Sequence, residues 1–392
     1  MTSPHTAQIR LLLSTALALF TFTVVIGILN GTDLVDFEHK ALLTHVHVGT
    51  LGWITMGVIA AALWLFALGD PAGKDARLVR LLGYATPLSI TAYSLAFLTT
   101  ASILRPLLGA LVGLVILATF VWTLRQARGR TLSVPHVGIL AAVLMSVIGA
   151  VLGILLGLRL AGNESITIRT ADAHPAAMVV GFLVPVGMAL SEWALDGGSI
   201  LRRATRAGWF QIGLPVLGGI FVIIGLLLDI VPLVTFSLPF EVIGLIILIV
   251  RMRPALMATS FTSTTTGRHG FMALVYLIVN LGILVYLIAK YFSKEIDPPA
   301  HLLLALDHSI FIGVMTNGIL ALIMRFRRPV SATIDHLVFA GLNAGVAVFI
   351  VGLLAESAPL KQTATPIMGG AILLAIATAI PALRGATQDA ST

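Results

Sequence analysis

Long apolar runs alternate with short polar or charged segments along the whole chain. A helix needs about 20 mainly apolar residues to cross the hydrocarbon core of a bilayer. The runs that meet this requirement are, to within a few residues, 10–29, 41–69, 78–100, 106–126, 135–161, 171–194, 208–228, 231–250, 269–291, 299–324, 333–355 and 366–383. The connections between them are short linkers. We therefore expect an all-α polytopic membrane protein of twelve transmembrane helices, with residues 1–392 forming a single integral membrane domain.

Composition supports this expectation and limits the chemistry. Of the 392 residues, 58% are hydrophobic and only 10% are charged, whereas a soluble domain carries about 25% charged residues. The chain contains no cysteine. This excludes disulfides, covalent haem attachment through CxxCH and thiolate-held iron–sulfur clusters. Any metal must be bound by histidine, methionine or oxygen ligands.

The distribution of basic residues predicts the orientation. Seventeen of the 24 Lys and Arg residues fall on one side of the predicted spans, and the side rich in Lys and Arg is normally cytoplasmic. Both termini are then cytoplasmic, and we expect a multi-pass protein of a bacterial inner membrane. The net charge of +7 fits basic loops beside anionic membrane lipid and does not indicate nucleic-acid binding.

Three predicted helices of the same direction, the second, sixth and tenth, begin with histidine. Their first residues read "THVHVGTLGW", "AHPAAMVVGF" and "DHSIFIGVMTNG". When Gly52, Gly181 and Gly313 are aligned, the repeats are 129 and 132 residues apart, which is one block of four helices each. We therefore predict three pseudo-repeated four-helix blocks, roughly 1–130, 131–265 and 266–392.

In this alignment His45 matches His174 and His47 matches His308. Residues two apart on a helix point about 200° apart, so His45 and His47 address two different neighbours. Axial haem ligation needs only one imidazole from each side of a flat macrocycle, which suits histidines on separate helices. For any one of them, solvation in the headgroup region remains the alternative.

Twelve spans, three four-helix blocks and histidines on helices two, six and ten resemble subunit I of the haem–copper oxidase superfamily. The resemblance implies that His45 or His47, together with His308, ligates a low-spin haem b. It also implies that His174 occupies the place of a copper ligand. Helix seven, "AGWFQIGLPVLGG", lacks the family's histidine pair, and Met178 stands where a tyrosine follows the helix-six histidine. A complete oxygen-reducing binuclear centre is therefore not expected.

The helix starts "HPAAMVVGF" and "DHSIFIGVMTNG" are closer to those of NnrS-like haem and copper membrane proteins. That resemblance implies a b-type haem protein that acts in nitric oxide handling or in electron transfer. Quinone or a separate redox protein would be its electron partner. Whether it is an oxidoreductase stays open.

Four further polar residues are candidates. His301 and His336 are additional metal-ligand candidates, with interfacial solvation as the alternative for His301. Asp307 and Glu241 are candidate proton-relay residues, because carboxylates within spans are costly and usually functional. Their alternatives are a surface ion pair and a neutral group between two helices. A proton-coupled secondary transporter that uses intramembrane histidines and Glu241 is the competing function.

Overall fold

The computed structural model describes residues 3–67, 74–99, 103–196, 202–294 and 296–385, and these residues contain helices and no strand. The long helices are α1 Thr6–Gly31, α2 His39–Phe66, α3 Lys74–Ala96, α4 Leu104–Ala127, α5 Val134–Leu160, α6 Thr170–Leu195, α7 Arg206–Leu228, α8 Val231–Met257, α9 Thr266–Lys290, α10 Ala300–Phe326, α11 Ala332–Leu354 and α12 Ala358–Arg384.

All twelve predicted helices are present, and eleven of them are long and apolar enough to cross a membrane. The other, α3, has 23 residues but begins with charged residues and contains Pro87. Two predicted ends are wrong, because α8 continues beyond residue 250 and α12 begins before residue 366. In both cases a charged residue belongs to the helix and has a partner: Arg251 binds Glu192, and Lys361 binds Asp33. The described residues thus form an all-helical structure with the long apolar helices of a polytopic membrane protein.

Helices α2, α6 and α10 form the centre of the bundle. The buried share of the most apolar stretch is 89% in α2, 72% in α6 and 78% in α10. In the other candidate spans among the described residues, this share does not exceed 56%. Glycines allow their close approach, since a Cβ at Gly57 of α2 would lie 2.7 Å from Ile319 of α10. Between α2 and α6, the rings of Trp64 and Trp193 meet edge to face at 5.0 Å.

Each central helix changes from α to π geometry just after its histidines and then returns to α geometry. In a π turn the hydrogen bonds join residues five apart, and such turns are rare and frequent at functional sites. Two threonine hydroxyls in these segments also bond to a carbonyl five residues earlier. Thr55 donates to Thr50 O at 3.0 Å, and Thr316 donates to Phe311 O at 3.2 Å. Within the described residues, the π-helical segments are Val48–Thr55, Ala177–Leu183 and Ser309–Thr316.

Candidate functional site

A cavity of about 580 Å³ lies between α1, α2, α10, α11 and α12, near the α1–α2 connection and the start of α12. Its volume falls within the range of roughly 300–1,000 Å³ that is usual for ligand and cofactor pockets. His45 of α2 and His308 of α10 both line it. Most of the wall is apolar, and one part of it is formed by the parallel rings of Phe20 and Trp53, 4.4 Å apart.

The two histidines differ in how their rings are held. His308 Nδ1 lies 2.8 Å from Leu304 O on its own helix. This bond fixes the ring and leaves Nε2 as the ligating nitrogen, which is the usual arrangement of a metal-bound histidine. His45 Nδ1 is buried and has no hydrogen-bond partner among the described residues.

The rim of the cavity carries charged groups. Lys361 Nζ lies 2.9 Å from Asp33 Oδ1, and Gln362 donates to Asp33 Oδ2 at 2.9 Å. The hydrogen bonds from Gln362 and Lys361 hold the pKa of the Asp33 carboxyl below its ordinary value. Asp307 also lines the cavity, next to His308 in the chain. Lys361 and the carboxylates of Asp33 and Asp307 are thus charged groups along a mostly apolar wall.

The residues fit a haem. Two imidazoles from different helices line one apolar cavity, and the glycine at position 27 leaves space beside one of them. A Cβ at Gly27 would lie 3.4 Å from His45 Cε1, so any longer side chain there would extend into the cavity. Among the described residues, no group of three or more His, Cys, Asp or Glu could hold a bare metal ion. Two protein ligands suffice when a macrocycle supplies the others.

His47 lies on the other side of α2 from His45, as the spacing of two residues predicts. Its ring stacks on Phe97 at 3.9 Å and meets Tyr93 edge to face at 5.9 Å. His174 of α6 is turned toward α5, where its Nδ1 lies 2.9 Å from Gly149 O. Neither ring lines the cavity.

The remaining candidates are dispersed. His301 Nε2 is 3.8 Å from a Glu356 carboxylate oxygen, and His336 Nδ1 is 2.9 Å from Arg268 Nη1. Glu241 is buried where α7 packs on α8, and neither carboxylate oxygen has a hydrogen-bond partner among the described residues. The structure therefore brings together His45, His308 and Asp307, and it separates them from the others.

Sequence reasoning missed the contributions of α1 and α12. Gly27, Thr23 and Lys361 line the cavity, although none of them has a local motif. The available signal was weak: glycines in the apolar run "VVIGILNG" and a lysine at the start of a span. Their proximity to His45 depends on which helices are neighbours, and a single sequence does not provide that information.

Comparison with known proteins does not assign the chain to a family. No family model matches this chain, and no curated protein is similar enough to match it.

Proposed function

We propose that the chain is a b-type haem-binding integral membrane protein, in which His45 of α2 and His308 of α10 would hold the haem iron. The observation that carries the proposal is the presence of both imidazoles in one apolar cavity of about 580 Å³. A haem bound there would supply one-electron redox chemistry. The chain's own residues orient the His308 imidazole, through the bond from its Nδ1 to Leu304 O, and surround the site with apolar side chains.

Electron transfer is the activity that this ligand set favours. A haem held by both His45 and His308 would have protein ligands in the positions that a gas would need, which suits electron transfer better than the binding of nitric oxide. Electrons would come from quinone or from a separate redox protein. The histidines needed for an oxygen-reducing copper site are absent from α7.

The proposal includes the architecture of the haem–copper oxidase superfamily, with three blocks of four helices and both termini in the cytoplasm of a bacterial cell. Central α2, α6 and α10 support it, because one central helix from each block would meet at the pseudo-threefold axis. The aligned glycines Gly52, Gly181 and Gly313 each occupy the fifth position of a π-helical segment. The excess of Lys and Arg on one side supports the orientation.

The absorption spectrum of the purified protein tests the proposal. We expect a Soret band, and we expect His45→Ala and His308→Ala each to remove the contribution of the haem bound in this cavity. His39→Ala is the matched control, because His39 is exposed at the start of the same helix as His45. Wild-type protein without haem, or equal loss in all three variants, would contradict the assignment.

A proton-coupled transporter is the second candidate, and Glu241 favours it. This carboxyl is 1% exposed and has no hydrogen-bond partner among the described residues, which suits a group that binds and releases a proton. It does not line the cavity with His45 and His308. Proton-coupled uptake by haem-free protein in liposomes, abolished by Glu241→Gln, would favour transport over the haem proposal.

A further inference from the structure

A second, smaller cavity lies at the end of the bundle opposite to the proposed haem cavity. It has a volume of about 20 Å³ and lies between the start of α9, the end of α10, the start of α11 and the end of α12. A cavity needs about 10–15 Å³ to hold one water molecule, so this one has room for a single small occupant. Most of its wall is apolar, and its polar lining residues are His269, Arg327, Asp335 and Thr378.

Arg327 brings an unsatisfied N–H group to this cavity. Its side chain is 8% exposed, and its Nη2 donates to Asp335 Oδ1. The other terminal nitrogen, Nη1, is buried and has no hydrogen-bond partner among the described residues. Buried polar groups in folded proteins normally have a partner, which can be a water or an ion. Arg327 Nη1 therefore indicates that the cavity holds an occupant that accepts a hydrogen bond.

The charged groups around Asp335 favour an anion as this occupant. Arg268 also binds Asp335, because its Nη2 donates to the backbone carbonyl at 2.8 Å. Arg268 is fully buried, and its Nε has no hydrogen-bond partner within the described part of the chain. Arg268, Arg327 and Asp335 together carry one excess positive charge, and a buried charge without a counter-charge is strongly destabilising. A water molecule would satisfy Arg327 Nη1 and leave that charge, whereas an anion would compensate both.

The other polar side chains of the wall are engaged within the protein. His269 Nδ1 lies 2.8 Å from Asn317 Oδ1. Because Asn317 Nδ2 donates to a backbone carbonyl of its own helix, Oδ1 is the acceptor and His269 Nδ1 carries the proton. Thr378 Oγ1 donates to Leu374 O at 2.8 Å. Fixed side chains thus enclose the cavity, and Arg327 supplies the donor for its occupant.

We propose that this cavity binds one monatomic anion of the chloride class, held by Arg327 Nη1 between α9, α10, α11 and α12. The site uses none of the residues that line the proposed haem cavity and does not depend on a bound haem. Its volume is too small for a polyatomic oxyanion such as sulfate. The anion joins the ends of four helices, and it stabilises the folded chain because a ligand that binds only the folded state opposes unfolding.

Chloride binding to purified full-length protein in detergent tests the proposal. We expect equilibrium dialysis with radioactive chloride to find one saturable site per chain, from which bromide displaces chloride and sulfate does not. The melting temperature should rise when chloride replaces gluconate at constant ionic strength.

Two matched variants of α12 locate the site. Ala379→Leu adds carbons at the wall of the cavity and keeps every charged group, so it should weaken chloride binding by roughly tenfold or more. Ala377→Leu is the control, because Ala377 is exposed on the same helix, and it should bind chloride as the wild type does.

Arg327→Gln removes the donor and should abolish saturable chloride binding. If this variant fails to fold, Ala379→Leu decides, because it leaves the pair of Arg327 and Asp335 intact. Wild-type protein without saturable chloride binding would overturn the site, and so would wild-type affinity in Ala379→Leu. Displacement of chloride by sulfate, or equal weakening in Ala379→Leu and Ala377→Leu, would show that the anion binds outside this cavity.

Discussion

Replacing Gly27 by leucine should block the cavity from the side of α1 without replacing either proposed ligand. A Cβ at this position would lie 3.4 Å from His45 Cε1, which is ordinary van der Waals contact. The first carbon is therefore accommodated, and the three carbons beyond it must occupy the cavity. When the cavity holds a haem, those carbons overpack it.

Overpacking a filled site costs typically about 1–3 kcal/mol. Since about 1.4 kcal/mol corresponds to a tenfold change in affinity, Gly27→Leu should weaken haem binding by roughly 5- to 150-fold. The haem-free protein should be as stable as wild type or more stable. Leucine replaces glycine within a helix, which favours the helix by roughly 0.5–1 kcal/mol, and the added carbons fill apolar space.

The assay is a titration of haem-free protein in detergent, followed by the Soret absorbance, with a soluble haem acceptor as competitor. Gly370→Leu is the matched control, because Gly370 is exposed on α12 and a Cβ there would meet no described atom within 4 Å. Unchanged affinity in Gly27→Leu would refute the location of the haem. Equal weakening in both variants would show that the loss does not come from the cavity.

Three further predictions concern the surroundings of the site. Thr316→Val should cost about 1–3 kcal/mol of unfolding free energy, because buried Trp53 Nε1 then loses its acceptor at 3.1 Å; a double-mutant cycle with Trp53→Phe checks that the two changes are coupled. Asp33, whose pKa is lowered by the hydrogen bond from Gln362 and by its lysine neighbour, stabilises the fold above its ordinary pKa and loses this effect as the pH falls through the lowered value. Asp33→Asn should therefore flatten the acid side of a plot of melting temperature against pH, and an unchanged slope would contradict the reasoning. Glu192→Gln should cost roughly 3–5 kcal/mol, since it leaves a largely buried guanidinium without its bidentate carboxylate; chemical unfolding in detergent measures the loss.

The number and position of the helices could be predicted because each span needs a long apolar run, and hydrocarbon tolerates little else. The ends of α8 and α12 could not, because they depend on the partners of Arg251 and Lys361 in other helices. The same limit applies to the site. The 200° separation of His45 and His47 follows from helix geometry, but which of them faces His308 depends on the order of helices around the centre.

The H-x-H of α2 is explained by the position of that helix between two others. Residues two apart on an α-helix point in nearly opposite directions, so the two histidines meet different neighbours. His45 lines the cavity that His308 of α10 also lines, whereas the ring of His47 stacks on Phe97 just after the end of α3. One side of α2 therefore supplies an imidazole to the cavity, and the other side packs against an aromatic ring.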